Sequence, residues 1–168
     1  SDVYKRQILK AKKPLFLVGG GVNIARAGEV FTEIVDRTKV PVVTTVMGRG
    51  AISTNHPLYI GNLGMHGAYA SNMAVNECDL LFSIGTRFND RITGKLHSFA
   101  PKAQIVHIDI DTAAISKNVQ VDVPIVADAK EALEKMVEYV TACDTEEWIA
   151  KVESWKEEHP LVMKKKPI

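Results

Sequence analysis

Five short apolar runs, at 14–18, 41–45, 79–84, 104–109 and 123–126, constrain this chain more than any other feature of it. Within Leu15-Phe16-Leu17-Val18 or Leu80-Leu81-Phe82-Ser83-Ile84 apolar and polar residues hardly alternate, so both faces of each segment must be covered. Strands inside a parallel sheet have this pattern, whereas half-solvated strands alternate. Between the first two runs Ile24, Ala27, Phe31, Ile34 and Val35 recur at helical spacing, with Asn23 as a candidate cap. After the fifth run Ala129, Leu133, Met136, Val137 and Val140 do the same. Strands alternating with helices predict an α/β fold, a three-layer α/β/α sandwich with right-handed crossovers. In such sheets ligands sit beyond the carboxyl ends of the strands.

The tail follows a different pattern. Over 145–158, Trp148, Ile149, Val152 and Trp155 share one side of an amphipathic helix, which reads as a packed face rather than a ligand platform. Lys164-Lys165-Lys166-Pro167-Ile168 reads as a solvated linker. The expected organisation is a domain over 1–143, then a helix and linker over 144–168 leading towards a further domain. The chain does not start with Met and reads as a piece of a longer or processed protein, with residues 1–7 partly foreign to it.

Charge and cysteine content exclude several classes. Lys plus Arg number 21 and Asp plus Glu 20, so no global field draws the chain towards DNA, RNA or an anionic membrane. Two cysteines, Cys78 and Cys143, make neither a disulfide framework nor a zinc knuckle, and a reducing, cytoplasmic compartment fits best. No apolar run approaches the roughly 18 to 20 residues that span a bilayer.

Glycine and polar residues collect after each predicted strand. Gly19-Gly20-Gly21 follows the first, as either a phosphate cradle or a plain tight turn. Thr45-Val46-Met47-Gly48 follows the second, and Leu63-Gly64-Met65-His66-Gly67 opens a helix. The third run continues into Gly85-Thr86-Arg87-Phe88-Asn89-Asp90-Arg91, the fourth into Asp109-Ile110-Asp111 and the fifth into Ala127-Asp128. Guanidinium forks such as those of Arg87 and Arg91 match a pyrophosphate, while Asp109 and Asp128 can accept hydrogen bonds from ribose hydroxyls or an adenine amino group. Together these groups outline a long dinucleotide lying across the sheet edge. Plainer readings stand beside each of them: His66 caps or packs, His107 is a satisfied core histidine, Asp111-Thr112 caps a helix, and Asp90 pairs with Arg87 or Arg91. Standard NAD binding is disfavoured. The third glycine of G-x-G-x-x-G is replaced by Ile24, and Thr44-Thr45 stands where an acidic residue takes the ribose hydroxyls. Neither a Walker A sequence nor G-x-S-x-G occurs.

The runs 14–21, Gly64-Met-His-Gly67, Gly85-Thr-Arg-Phe-Asn-Asp-Arg-Ile-Thr-Gly94 and 105–111 resemble the central domain of the acetolactate synthase (acetohydroxyacid synthase) large catalytic subunits. The resemblance covers roughly residues 8–142 and implies a Rossmann-like parallel sheet of the DHS-like NAD/FAD-binding type. It also implies a larger enzyme that uses thiamine diphosphate and Mg2+ to decarboxylate pyruvate and join the two-carbon unit to a second 2-oxo acid. In the family this domain binds FAD, which serves no net redox step. Carried over by motif, the FAD contacts are Gly20, Gly21, Thr45, Val46, Gly64, Met65, His66, Gly85, Arg87, Asn89, Arg91, Asp109, Ile110 and Asp128. Asn89 stands where many members have Asp, which keeps an acceptor, adds a donor and removes a charge. Asp90 and Arg91 fall at the mouth of the substrate channel.

The resemblance assigns thiamine activation to a glutamate of an N-terminal domain, and the metal-diphosphate site to a Gly-Asp-Gly of a C-terminal domain. No Gly-Asp dipeptide occurs in the chain. No catalytic residue and no metal ligand is therefore expected here, and the missing thiamine diphosphate domains become the expected partners, in a homo-oligomer that a regulatory small subunit can join. Two alternatives remain: a stand-alone nucleotide-binding or sensing module of the same fold, and a sirtuin-like deacylase, which the cysteine count disfavours.

Overall fold

The computed structural model describes residues 2–63, 69–86, 99–110 and 122–159. Six strands form one parallel sheet: β1 (Pro14–Val18), β2 (Val42–Thr44), β3 (Tyr59–Asn62), β4 (Leu80–Ile84), β5 (Gln104–Asp109) and β6 (Val123–Val126). Their spatial order is β3-β2-β1-β4-β5-β6. All five apolar runs become strands. The sixth, β3, carries only one large fully buried apolar residue, Ile60, and ends in polar Asn62, so it lacks the continuous apolarity of the others.

Helices cover both faces, as the lack of alternation requires. On one face lie α1 (Asp2–Lys10), α2 (Gly20–Ile24), α3 (Gly28–Thr38) and α5 (Ala129–Val137). There Phe31, Ile34, Leu133 and Met136 pack on Phe16, Val42, Phe82 and Val106. Phe16 meets Phe31 and Phe82 edge to face at centroid distances of 5.4 and 5.8 Å, a geometry that suits the ring quadrupoles. On the other face, α4 (Tyr69–Glu77) and α6 (Glu146–Glu158) bury Ala74, Val75, Trp148, Val152 and Trp155 against Leu15, Leu17, Val43, Leu81 and Ile105. This is the expected three-layer sandwich.

The segment after β1 departs from expectation. Instead of one helix with Ile24 on its buried stripe, the chain makes two helices, and Ile24 is 85% exposed. Arg26 adopts a left-handed φ of 56° between them. Ala27 N–H donates to Val22 O at 2.9 Å and Arg26 N–H to Asn23 O at 3.1 Å, the bond pair of a Schellman stop, with Val22 and Ala27 both buried. Asn23 therefore lies inside α2 and does not cap a helix; the N-cap is Gly19.

Two buried polar contacts fix the sheet's second face. The indole Nε1 of Trp148 donates to Pro14 O at 2.7 Å, tying α6 to the start of β1, and the Trp148 and Trp155 rings meet edge to face at 5.8 Å. His107, fully buried on β5, donates through Nε2 to Thr86 O at 2.7 Å, with Asp109 Oδ2 at 3.7 Å. It is a core histidine, as expected. Burial holds its imidazole below the usual value, and the Thr86 carbonyl and the Asp109 charge only partly offset this.

Two measurements follow. Trp148→Phe keeps most of the packing but leaves Pro14 O without its donor, so it should cost about 1–3 kcal/mol in urea denaturation, whereas Trp148→Ala should cost about 3–5 kcal/mol. For His107 the folded state binds its proton less readily than the unfolded chain, so its contribution to stability is complete above about pH 6.5 and declines as pH falls through the depressed folded value. Denaturation midpoints measured down from pH 7 should fall with a slope from this group of at most about 1.4 kcal/mol per pH unit. An NMR titration should find His107 still neutral where an exposed imidazole is protonated.

Candidate functional site at the carboxyl edge of the sheet

Because every strand is parallel, all carboxyl ends reach one edge. The chain proceeds from β1 through β2 to β3 on one side, then crosses to β4, β5 and β6 on the other, so β1 and β4 are neighbours at the topological switch point, where ligands of such sheets generally sit. At that switch point the two backbones touch. Gly21 N–H donates to Gly85 O at 3.0 Å, and a Cβ placed on Gly19 would lie 2.4 Å from that oxygen. Gly85 itself has φ +62°. Much of the glycine run is thus explained by close approach of strand ends, and the Gly21 N–H is not available to an anion. Helix α2 has only five residues, so its dipole adds little.

The loop after β2 is held as tightly. Thr45 N–H donates to Val18 O at 3.0 Å, and Thr45 Oγ1 accepts from Gly48 N at 3.2 Å. A Cβ on Gly48 would fall 2.1 Å from Val18 O, so no other residue fits there without moving backbone. Thr44 Oγ1 donates to Asn62 Oδ1 at 3.0 Å and lies 3.0 Å from the Tyr59 hydroxyl. Both threonine hydroxyls at the end of β2 are therefore taken up internally. Beside them Val46 and Met47 are 67% and 73% exposed, and across the switch point Ile110 is 70% exposed. Large apolar side chains gathered at a ligand edge form the kind of surface that a flat ring system covers.

On the far side, the largely buried Asp109 carboxylate sits beside His107. Asp128 Oδ2 accepts from Glu131 N at 3.1 Å and so caps α5, a structural duty that the sequence reading did not assign to it. The structure thus brings Gly20, Gly21, Thr45, Val46, Gly85, Asp109, Ile110 and Asp128 to one edge. The five strands concerned span about 19 Å at normal strand spacing. Gly64, Met65, His66, Arg87, Asn89, Asp90 and Arg91 lie outside the described residues, as do Asp111 and Thr112. Two residues at this edge carry no contact assignment from the sequence, which gave Met47 only as part of a loop and Asn23 only as a cap: Met47, whose Cβ lies 2.9 Å from where a Gly20 Cβ would sit, and Asn23, whose amide bonds to the β2 loop. Nothing in their sequence context distinguishes a surface Met or a helical Asn.

Both cysteines lie away from this edge, Cys78 just before β4 and Cys143 bonded through its N–H to Thr38 O ahead of β2. Burial, with the Asp79 charge adding to it, pushes the Cys78 thiol up to about 12, and burial pushes Cys143 to about 11, so neither is a thiolate at neutral pH. Among the described residues no three His, Cys, Asp or Glu side chains gather to hold a metal, and no described helix is long and apolar enough to cross a membrane.

Over residues 4–136 the sequence matches the family described as thiamine pyrophosphate enzyme, central domain. It is 48% identical over 168 residues to a probable acetolactate synthase large subunit of Methanococcus aeolicus, covering 93% of this chain and 28% of that one. The acetolactate synthase large subunit of Cyanidium caldarium is 44% identical over 167 residues, covering 95% and 28%. Acetolactate synthase isozyme 2 large subunit of Escherichia coli K12 is 41% identical over 159 residues, covering 93% and 29%. The chain thus spans less than a third of the length of these curated relatives. Its parallel sheet, its switch point between β1 and β4 and the match over most of its length agree: the chain belongs to the thiamine pyrophosphate enzyme central-domain family.

Proposed function

We propose that this chain is the FAD-binding central domain of a thiamine diphosphate-dependent acetolactate synthase. That enzyme condenses two pyruvates, or pyruvate with 2-oxobutyrate, with loss of carbon dioxide in branched-chain amino acid synthesis. The observation that carries the reading is 41–48% identity over at least 93% of the chain to three proteins bearing that name. On this reading thiamine diphosphate and Mg2+ supply the decarboxylation and carbon–carbon bond formation from N- and C-terminal domains, and this chain contributes no catalytic group. Residues 1–143 form the cofactor unit, and 144–168 lead by way of α6 towards the next domain. The whole enzyme is a cytoplasmic homo-oligomer, open to a regulatory small subunit.

The residues present suit FAD better than NAD. Val46, Met47 and Ile110 offer apolar surface to flat rings, and Asp109 and the second carboxylate oxygen of Asp128 offer acceptors to ribose hydroxyls. At the end of β2 no carboxylate stands ready for the ribose of NAD, and the Thr44 and Thr45 hydroxyls already have partners. The resemblance assigns Arg87 and Arg91 to the pyrophosphate, and Asn89, Gly64, Met65 and His66 to further flavin contacts. The resemblance assigns Asp90 and Arg91 to the mouth of the substrate channel, where a cation would attract an anionic 2-oxo acid.

Titration with both cofactors, followed by flavin fluorescence quenching and calorimetry, tests the cofactor assignment. FAD should bind more tightly than NAD, and the reverse order overturns it. In the full-length enzyme Arg87→Ala should weaken FAD binding by about 1.5–3 kcal/mol, roughly 10- to 150-fold, with the fold intact. Given thiamine diphosphate, Mg2+ and pyruvate, the 168-residue chain alone should release no carbon dioxide; turnover by it would refute the non-catalytic role.

A further inference from the structure

We infer that Asn23 is a positioning residue for the dinucleotide, a step that rests on the reading of this edge as the FAD site. Its side-chain amide clamps the loop after β2 to the turn after β1, and so fixes Val46 and Met47 where the ligand meets them. Nδ2 donates to Met47 O at 3.0 Å and to Arg49 O at 2.9 Å. Both hydrogens of one primary amide are engaged by carbonyls two residues apart in the chain. Asp has no N–H to offer in place of this double donation, and Ser has a single hydroxyl.

Restraints on the loop from elsewhere leave this role open. Thr45 N–H anchors its root to Val18 O, and the bonds from Gly48 N to Thr45 O, Arg49 N to Val46 O and Ala51 N to Gly48 O shape it internally. Among the described residues, the hydrogen bonds that tie 46–50 to another element come from Asn23. Packing holds the loop at buried Gly48, against Val18, but not at its tip, because the Val46 and Met47 side chains are mostly exposed. The clamp also seats Met47 Cβ against the Gly20 backbone, joining two candidate contacts of the same ligand. The Asn23 carbonyl serves the stop of α2, accepting from Arg26 N–H at 3.1 Å, while its side chain caps neither end of the helix and is given over to the β2 loop.

The test uses the intact protein with Asn23→Asp, which is isosteric but lacks both donors, Asn23→Ser, which keeps one, and Asn23→Gln, which keeps the primary amide on a longer arm. FAD affinity, melting temperature and amide hydrogen exchange of the ligand-free protein are measured for each. Asn23→Asp should raise the FAD Kd about tenfold and speed exchange at the Gly48 and Ala51 amides, while the melting temperature moves by no more than about 3 °C. Asn23→Ser should fall between, and Asn23→Gln should recover part of the affinity. Unchanged Kd and unchanged exchange in Asn23→Asp overturn the inference, as does a melting loss that accounts for the whole change in affinity. If the wild-type protein itself binds no FAD, the cofactor assignment fails. The exchange data then judge the clamp alone, faster loop exchange in Asn23→Asp supporting it and wild-type exchange refuting it.

Discussion

The turn after β1 and the end of β4 meet backbone to backbone, with no side chain between them. A Cβ on Gly19 or Gly21 would fall within 2.4–2.7 Å of Gly85 main-chain atoms, and one on Gly48 would strike Val18 O at 2.1 Å. The floor of the switch point is therefore made of main chain. Because the ladder and the loop bonds take up much of its polar capacity, recognition passes to the side chains that rise around it. A glycine-rich turn that looks in sequence like a phosphate cradle is in the folded protein first a device for letting two strand ends approach.

Once the floor is set, the rim decides the class of ligand. Thr44 and Thr45 are tied into a network with Tyr59, Asn62 and Gly48, and one oxygen of Asp128 holds the first turn of α5. Exposed Val46, Met47 and Ile110 remain on either side of the switch point. Left bare, apolar groups at such an edge favour association, and a ring system or a neighbouring domain removes that liability. The proposed flavin fits this rim better than a ligand recognised by hydroxyl groups alone.

Strand positions were legible because they rest on the strongest signal available, continuous apolarity, and β5 and β6 keep their expected limits of 104–109 and 123–126. β3 escaped because Gly61 and Asn62 dilute its pattern over only four residues. The break after α2 escaped because the left-handed stop falls on Arg26, where glycine would have signalled it. At the site, the shared edge could be read, since it follows from parallel strands. Which polar atoms already had partners could not, because Thr44 with Asn62 and Asn23 with Met47 are matched by packing across 18 and 24 residues of sequence.

The bond from Trp148 to Pro14 O joins residues 134 positions apart. Synthesis proceeds from the amino end, so β1 leaves the ribosome long before the helix that covers it. Until α6 emerges, Leu15, Leu17, Leu81 and Ile105 have only α4 and the short Phe99-Ala100 segment as described cover on that side. A chain cut short before Trp148 would lack the cover that Trp148, Val152 and Trp155 give to Leu15, Leu17, Leu81 and Ile105, and apolar surface exposed during folding favours aggregation.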